Sequence, residues 1–224
     1  ETYTEDTPLN LVDIVVSDID SANVTATLTL SNPAAGSLNT ATSGAVTSTY
    51  NDATGVWTAS GAIANVNALL AGLTLTPAAN FNGSFSIATS VSDGVAPAIT
   101  GSKAFTGIAV NDAPVATPVT LAAGNEDTAY TITAATLLAG VTDVDGPTLS
   151  ITSVSVASGG GSIVNNGGGT WTYTPAANFS GPVSFNYTAS DGSLSASSTA
   201  SLTLNAVNDA PTATNLSAAE TYTE

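Results

Sequence analysis

Thr174-Pro175-Ala176-Ala177-Asn178-Phe179-Ser180-Gly181, running on into Val183-Ser184-Phe185-Asn186-Tyr187-Thr188-Ala189, decides the reading of the fold. Its second half puts an apolar side chain at every other position, the period of a strand with one dry face and one wet face. Its first half is a loop, and it occurs 98 residues earlier as Thr76-Pro77-Ala78-Ala79-Asn80-Phe81-Asn82-Gly83, followed by Phe85, Ile87 and Val91 in the same alternation. Outward from there, Val110-Asn111-Asp112-Ala113-Pro114 returns as Val207-Asn208-Asp209-Ala210-Pro211, 97 residues on. Self-similarity at such a spacing means two homologous modules. They are assigned to residues 1–111 and 112–208. Glu1-Thr2-Tyr3-Thr4-Glu5 reappears as Glu220-Thr221-Tyr222-Thr223-Glu224, so residues 209–224 read as a linker and the start of a further repeat.

The modules differ in length. Trp57 stands 20 positions before Pro77, whereas Trp171 stands 4 before Pro175. Treating the two Trp as counterparts puts an insertion near residues 59–75 of module one. The stretch Ala64-Asn65-Val66-Asn67-Ala68-Leu69-Leu70-Ala71-Gly72 within it predicts one short helix over an open end, with Gly72 as its stop. Turn signals at Asp20, Asn32-Pro33, Gly55, Gly94, Asp145-Gly146, residues 167–169 and Gly192 divide the rest into about seven short antiparallel strands per module, the immunoglobulin-like count. The expected fold is all-β, two tandem sandwiches. Trp57 and Trp171 read as core anchors, with a sugar-stacking platform as the alternative.

Composition narrows the function. Apolar residues make up 43 % of the 224, enough for a core in each module. Seventeen acidic side chains face a single base, Lys103, and there is no Arg, His or Cys, for a formal charge of −16. Nucleic acid and anionic membranes both require a basic face, so neither is an expected partner. No apolar run is long enough to span a bilayer and no signal peptide is evident, which reads as a soluble interior fragment. Without His, Cys or Arg most acid–base and nucleophilic schemes have no residues to run on, and the chain is expected not to be an enzyme. Lys103 alone does not argue for an isopeptide bond, and the run Gly159-Gly160-Gly161 is a turn rather than a calcium-binding nonapeptide.

The carboxylates are not scattered. Twelve of the 17 fall in four settings that recur in register. These are an acidic pair before Thr (Glu5-Asp6, Glu126-Asp127), an alternating pair (Asp18 and Asp20, Asp143 and Asp145), a Ser-Asp-Gly turn (Asp93, Asp191) and the linker Asn-Asp-Ala-Pro (Asp112, Asp209). In a seven-stranded sandwich the alternating pair, the turn and the linker map to the end where the chain comes in, and the acidic pair to the opposite pole. Glu5, Asp112, Asp143, Asp145 and Asp191, with Asp6 as a sixth candidate, are expected to converge where module one meets module two. Like charges about 4 Å apart cost about 1 kcal/mol in water and more near a protein surface, so a counter-ion is required. Oxygen-only ligands favour calcium over zinc, which wants His or Cys, and over magnesium, which keeps its water. Acidic turn residues are also common for capping and solubility alone, which is the bland alternative for each setting taken singly.

Asn111-Asp112-Ala113-Pro114, Glu126-Asp127-Thr128, Asp143-Val144-Asp145-Gly146, Tyr173-Thr174-Pro175 and Tyr187-Thr188-Ala189-Ser190-Asp191-Gly192, in that order, resemble the bacterial cadherin-like repeat found in giant RTX adhesins. The resemblance implies a secreted cell-surface stalk in which calcium at each junction locks neighbouring repeats. It implies metal ligation by Asp143 and Asp145 of the incoming module, Asp112 of the linker and Glu5 of the preceding module. Asn111, Asp18, Asp20, Asp93, Glu126 and Asp209 complete the candidate set, the last five at sites that lack a neighbour. The loops at residues 77–83 and 175–181 carry no acid where cadherins have a pair, so fewer ions per junction are expected. The implied function is a calcium-stiffened extender, with a carbohydrate- or protein-binding module as the alternative. Its partners are the neighbouring repeats of the same chain. The fragment itself is expected to be a monomer, with any glycan or host-surface ligand bound through other domains.

Overall fold

The computed structural model describes residues 1–146 and 148–213; the repeated pentapeptide at residues 220–224 lies outside them. The chain divides into two compact units, Glu1–Val110 and Asn111–Glu224. Each is a β-sandwich, as the alternation requires.

The first unit contains β1 (Thr2–Thr4), β2 (Leu9–Asn10), β3 (Asn23–Leu30), β4 (Gly36–Leu38), β5 (Thr42–Ser43), β6 (Val46–Thr47), β7 (Thr49–Asn51), β8 (Val56–Ala62), α1 (Ile63–Ala71), β9 (Thr74–Pro77), β10 (Phe85–Ser92) and β11 (Ile99–Ile108). Its large sheet has the order β1-β11-β10-β3-β8-β7 and its small sheet β2-β9-β4. Every second residue of β3, from Val24 through Ala26 and Leu28 to Leu30, is buried, as are Trp57, Leu75, Ile87 and Phe105. α1 adds Val66, Leu69 and Leu70 to the same core. The helix ends at Gly72 as expected, but at φ −99°, so the stop does not use the left-handed freedom of glycine. Asn67 on α1 clamps the extended segment at residues 11–17: its Oδ1 accepts from Val16 N–H and its Nδ2 donates to Val16 O, both at 2.8 Å.

The second unit contains β12 (Val115–Ala116), β13 (Val119–Thr120), β14 (Gly124–Asn125), β15 (Tyr130–Thr133), α2 (Ala134–Leu138), β16 (Val141–Thr142), β17 (Ser150–Ser158), β18 (Ser162–Gly167), β19 (Thr170–Thr174), β20 (Gly181–Ser190) and β21 (Ser195–Asn205). The large sheet has the order β13-β21-β20-β17, with β14 also on β21, and the small one β15-β19-β18. Trp171, Tyr173, Phe185, Tyr187 and Leu202 fill the space between them. The helix α2 was not foreseen. Thr133 starts it by accepting from Thr136 N–H at 3.2 Å, an N-cap that a five-residue helix in a Thr- and Ala-rich stretch does not advertise.

Two further expectations are corrected. The opening strands are parallel to the closing ones, with Tyr3 opposite Gly107 and Gly124 opposite Leu204, so the sandwiches are not purely antiparallel. Trp57 and Trp171 are not counterparts: Trp57 lies on β8 in a large sheet, Trp171 on β19 in a small one. The correct register comes from Ser37 opposite Thr76 and Ser162 opposite Thr174, separations of 39 and 12 residues. The insertion in unit 1 is therefore 27 residues, lying between β4 and β9, and it supplies β5 to β8 as well as α1. Glycine confirms the register, since a Cβ on Gly36 would come within 2.3 Å of Thr76 O and one on Gly161 within 2.4 Å of Thr174 O. The Trp side chains are 0 % and 3 % exposed, which leaves neither ring a face for a sugar. Phe185→Ala should lower stability by about 3–5 kcal/mol in chemical denaturation, the usual cost of a fully buried Phe.

Candidate metal centre

The recurring acidic settings are, first of all, devices for satisfying main-chain N–H groups. In the Ser-Asp-Gly turns Asp93 Oδ1 accepts from Val95 and Ala96 N–H, both at 3.0 Å, and Asp191 Oδ1 accepts from Ser193 and Leu194 N–H at 2.6 and 2.7 Å. The Ser before each accepts from the Gly after it. In the alternating pairs Asp18 Oδ1 accepts from Asp20 and Ser21 N–H, and Asp143 Oδ1 from Asp145 N–H. These are Asx turns, which the short Asp side chain makes with residues two and three further on.

In the second unit these turns come together with the segment that leads into it. Asn111 Nδ2 donates to Asp191 Oδ2 at 2.8 Å, and Asp112 N–H donates to Asp145 Oδ2 at 2.8 Å. A carboxylate oxygen of Asp112 lies within 4.8 Å of one of Asp145. Asp143 Oδ2 is buried, and among the described residues it has no hydrogen-bond partner. Residues 111–224 contain no Lys, Arg or His, so no side chain of the unit can neutralise the set. The donors are all oxygen, and a buried carboxylate oxygen lacks a partner; that combination fits a hard divalent cation such as calcium.

The equivalent end of the first unit is arranged alike with a different donor. Ser21 Oγ donates to Asp93 Oδ2 at 2.9 Å, taking the part that Asn111 plays for Asp191, and Asp18 and Asp20 sit beside it. The glutamates occupy the outgoing ends. Glu5 follows β1, is 1 % exposed, and its Oε1 accepts from Val110 N–H; Glu126 is 5 % exposed, and its Oε1 accepts from Val207 N–H at 2.7 Å. Asp209 is exposed just beyond Val207, and its carbonyl accepts from Asn208 Nδ2.

Asp6 has a role that its place among the candidate ligands did not anticipate. It and Asp127 stand at φ 57° and 53°, and each accepts from the N–H of a second left-handed residue, Asn80 at 3.0 Å and Asn178 at 2.9 Å. The acidic pair before Thr is thus split: Glu holds the strand that leaves the unit, and Asp holds the Pro-Ala-Ala-Asn-Phe loop. The signal was present in the sequence, because both motifs recur in both units, but a spacing of 74 residues gives no reason to join them.

Residues 110–205 match the cadherin-like domain family. The match runs from the last residue before the second unit to the end of β21. Among solved structures, human CDH23 EC21-23 is 13 % identical over 92 % of this chain and 72 % of its own, with a TM-score of 0.38. Protocadherin gamma B2 extracellular cadherin domains 3-6 are 14 % identical over 93 % and 46 %, with a TM-score of 0.36. An endo-fucoidan hydrolase, MfFcnA4 from glycoside hydrolase family 107, is 21 % identical over 78 % of this chain and 24 % of its own, with a TM-score of 0.31. The chain spans about a quarter of that hydrolase's length. No curated protein matches the sequence. Among the described residues, no helix is long and apolar enough to cross a membrane.

Hydrogen bonding holds three carboxyls below the ordinary aspartate range. For Asp191 the Asn111 amide acts most, then the Leu194 and Ser193 N–H groups; for Asp93 it is Val95, Ala96 and Ser21; for Asp18 the Ser21 and Asp20 N–H groups. A carboxyl lowered on folding stabilises the fold above its unfolded value, about 3.9, and that contribution is lost as pH falls through the lower folded value. In calcium-free buffer the melting temperature should therefore begin to fall below about pH 4, and Asp191→Asn should flatten the fall.

Proposed function

We propose that the chain is a pair of spacer units from an extracellular bacterial adhesin, stiffened by calcium, and not an enzyme. The carrying observation is Asp143 Oδ2, a buried carboxylate oxygen with no hydrogen-bond partner among the described residues, on a turn whose other acid, Asp145, accepts from the Asp112 amide, in a unit without a cationic side chain. Asp112, Asp143, Asp145 and Asp191 would hold the ion, with Asn111 orienting Asp191. Glu5, Asp18, Asp20, Asp93, Glu126 and Asp209 are ligands of the same kind at the other unit ends. When bound, calcium supplies two positive charges where the chain supplies none. Glu5, recruited from the preceding unit, would turn that neutralisation into a mechanical link between repeats.

The cadherin-like match at residues 110–205 supports an extracellular module of the adhesion type. The absence of His, Cys and Arg supports a structural job over a catalytic one. With both Trp rings buried, neither offers the stacking face that the carbohydrate-binding alternative needs. Neighbouring repeats of the same chain are the partners this reading needs.

Calcium should raise the melting temperature of the chain. Asp143→Ala should remove most of that gain, whereas Asp52→Ala, on the exposed turn after β7, should leave it intact. Small-angle scattering should show a longer, stiffer particle with calcium than with chelator. Identical profiles in the two buffers would overturn the spacer reading even if the ion binds.

A further inference from the structure

The insertion that distinguishes the two units changes the edge of the large sheet. In unit 1, β3 pairs with β10 on one side and with the inserted β8 on the other; in unit 2 its counterpart β17 pairs with β20 alone among the described residues. The loop repeat fixes the correspondence, because its spacing of 98 sets Ile87 against Phe185. Leu30 stands opposite Ile87 and Val156 opposite Phe185, and the matching continues through Leu28 and Val154 to Ala26 and Ile151. β8 brings Trp57 beside Leu28 and Ala59 beside Ala26, and Ala26, Leu28 and Leu30 are fully buried. Ile151, Val154 and Val156 pack on the core of unit 2 but are only partly buried. The strand position that β8 fills in unit 1 has no occupant among the described residues of unit 2.

That edge is also undefended. Natural sheets blunt an exposed edge with Lys, Pro or a bulge. β17 reads Ser150-Ile151-Thr152-Ser153-Val154-Ser155-Val156-Ala157-Ser158, with neither a charged residue nor a Pro. Its two bulges fall between Ile151 and Ser153 and between Val156 and Ser158, which leaves Ser153 to Val156 in regular register. On this run Ser153 and Ser155 are exposed, while Val154 and Val156 face the core. In a chain of charge −16, residues 146–190 contain no Asp, Glu, Lys, Arg or His, so the acids of unit 2 all lie outside β17, β18, β19 and β20.

We propose that the open edge of β17 pairs with β17 of a second copy of the chain, antiparallel and about a two-fold axis through Ser155. Residues opposite one another in an antiparallel pair share a face, so only registers that set core-facing residues against core-facing residues are allowed. The regular run admits two such centres, Val154 and Ser155. Centring on Ser155 sets Val154 of each copy against Val156 of the other on the dry side and Ser155 against Ser155 on the wet side, engaging four valines instead of two. The main-chain groups that β8 satisfies along β3 are then satisfied along β17 by the second copy. Charge favours a second copy as well: two chains of −16 can approach edge to edge over a stretch that carries no charge. Such a contact is isologous and closes at two copies. Four regular residues from each strand make a small interface, so the pair forms at high concentration and the monomer expected from the sequence is the dilute limit. None of this requires bound calcium.

Sedimentation velocity of the full chain in chelator, at concentrations rising into the millimolar range, should show a monomer–dimer equilibrium. Ser155→Asp, an exposed substitution that leaves the core untouched, should weaken association about tenfold or more by setting two carboxylates against each other. The chain has no Cys, so Ser155→Cys reports the register directly. Under mild oxidation it should form a covalent dimer, whereas Ser197→Cys, exposed on β21 on the same face of the sheet, should not. Backbone amide resonances of residues 153–157 should shift with concentration, and those of residues 25–29, on the covered β3, should stay in place. A chain that remains monomeric, undiminished association of Ser155→Asp, or crosslinking of Ser197→Cys as fast as Ser155→Cys would each overturn the proposal. So would shifts at residues 153–157 that a peptide with the sequence of β8 produces and the chain itself does not, since another strand would then be the occupant.

Discussion

A carboxylate in this chain has almost no cation to meet, and Lys103 is already engaged by Glu1, so acidic side chains must find main-chain N–H groups or a metal ion. The fold is organised around the first option. Asp18, Asp93, Asp143 and Asp191 each close a turn by accepting from amides two or three residues ahead, while Glu5, Asp6, Glu126 and Asp127 reach across the sequence to amides 51 to 105 residues away. Hydrogen bonds to a charged acceptor are worth roughly 1.5–3 kcal/mol when shielded and less in the open, so the buried glutamates do more for the fold than the exposed aspartates. Each unit thereby fastens its own outgoing strand at one end and shapes its loops at the other.

Satisfying N–H groups consumes one oxygen of each carboxylate and leaves its charge behind. At the incoming end of unit 2 the second oxygens are partly engaged, Asp191 by Asn111 and Asp145 by the Asp112 amide, while Asp143 keeps a buried oxygen without a hydrogen bond. Turn chemistry and metal ligation are thus two uses of one side chain, divided between its two oxygens. This is why a motif such as Ser-Asp-Gly is uninformative alone and informative in company.

The strands, the two-unit organisation and the register of the acidic motifs could be read from the sequence because they depend on alternation and exact repetition, both of which survive in residue identities. The Trp comparison failed for the opposite reason. Trp57 and Trp171 share a residue type and a place within a strand, but a large apolar side chain can fill a core from either sheet, and only hydrogen-bond register distinguishes them. Leu73, two residues before Leu75 in the small sheet, is the residue of unit 1 that stands where Trp171 stands, and nothing in its identity says so. The parallel pairing of β1 and β14 was equally hidden, since two or three residues beside a long strand show the same alternation in either direction. The amide partner of Asp6 was hidden too, since nothing local to Asp6 shows that it lies across the unit at Asn80.

Lys103 is the sole lysine and there is no arginine, so a protease that cuts after basic residues has one bond to attack in the whole chain, and that bond lies in the middle of ten-residue β11, where Ile99 to Phe105 pair with β10. Proteases need their substrate extended and free of a sheet, so cleavage between Lys103 and Ala104 requires β11 to detach locally. The rate at which the chain falls into two pieces under such an enzyme is consequently a clock for the opening of a single strand, readable on a gel without any label.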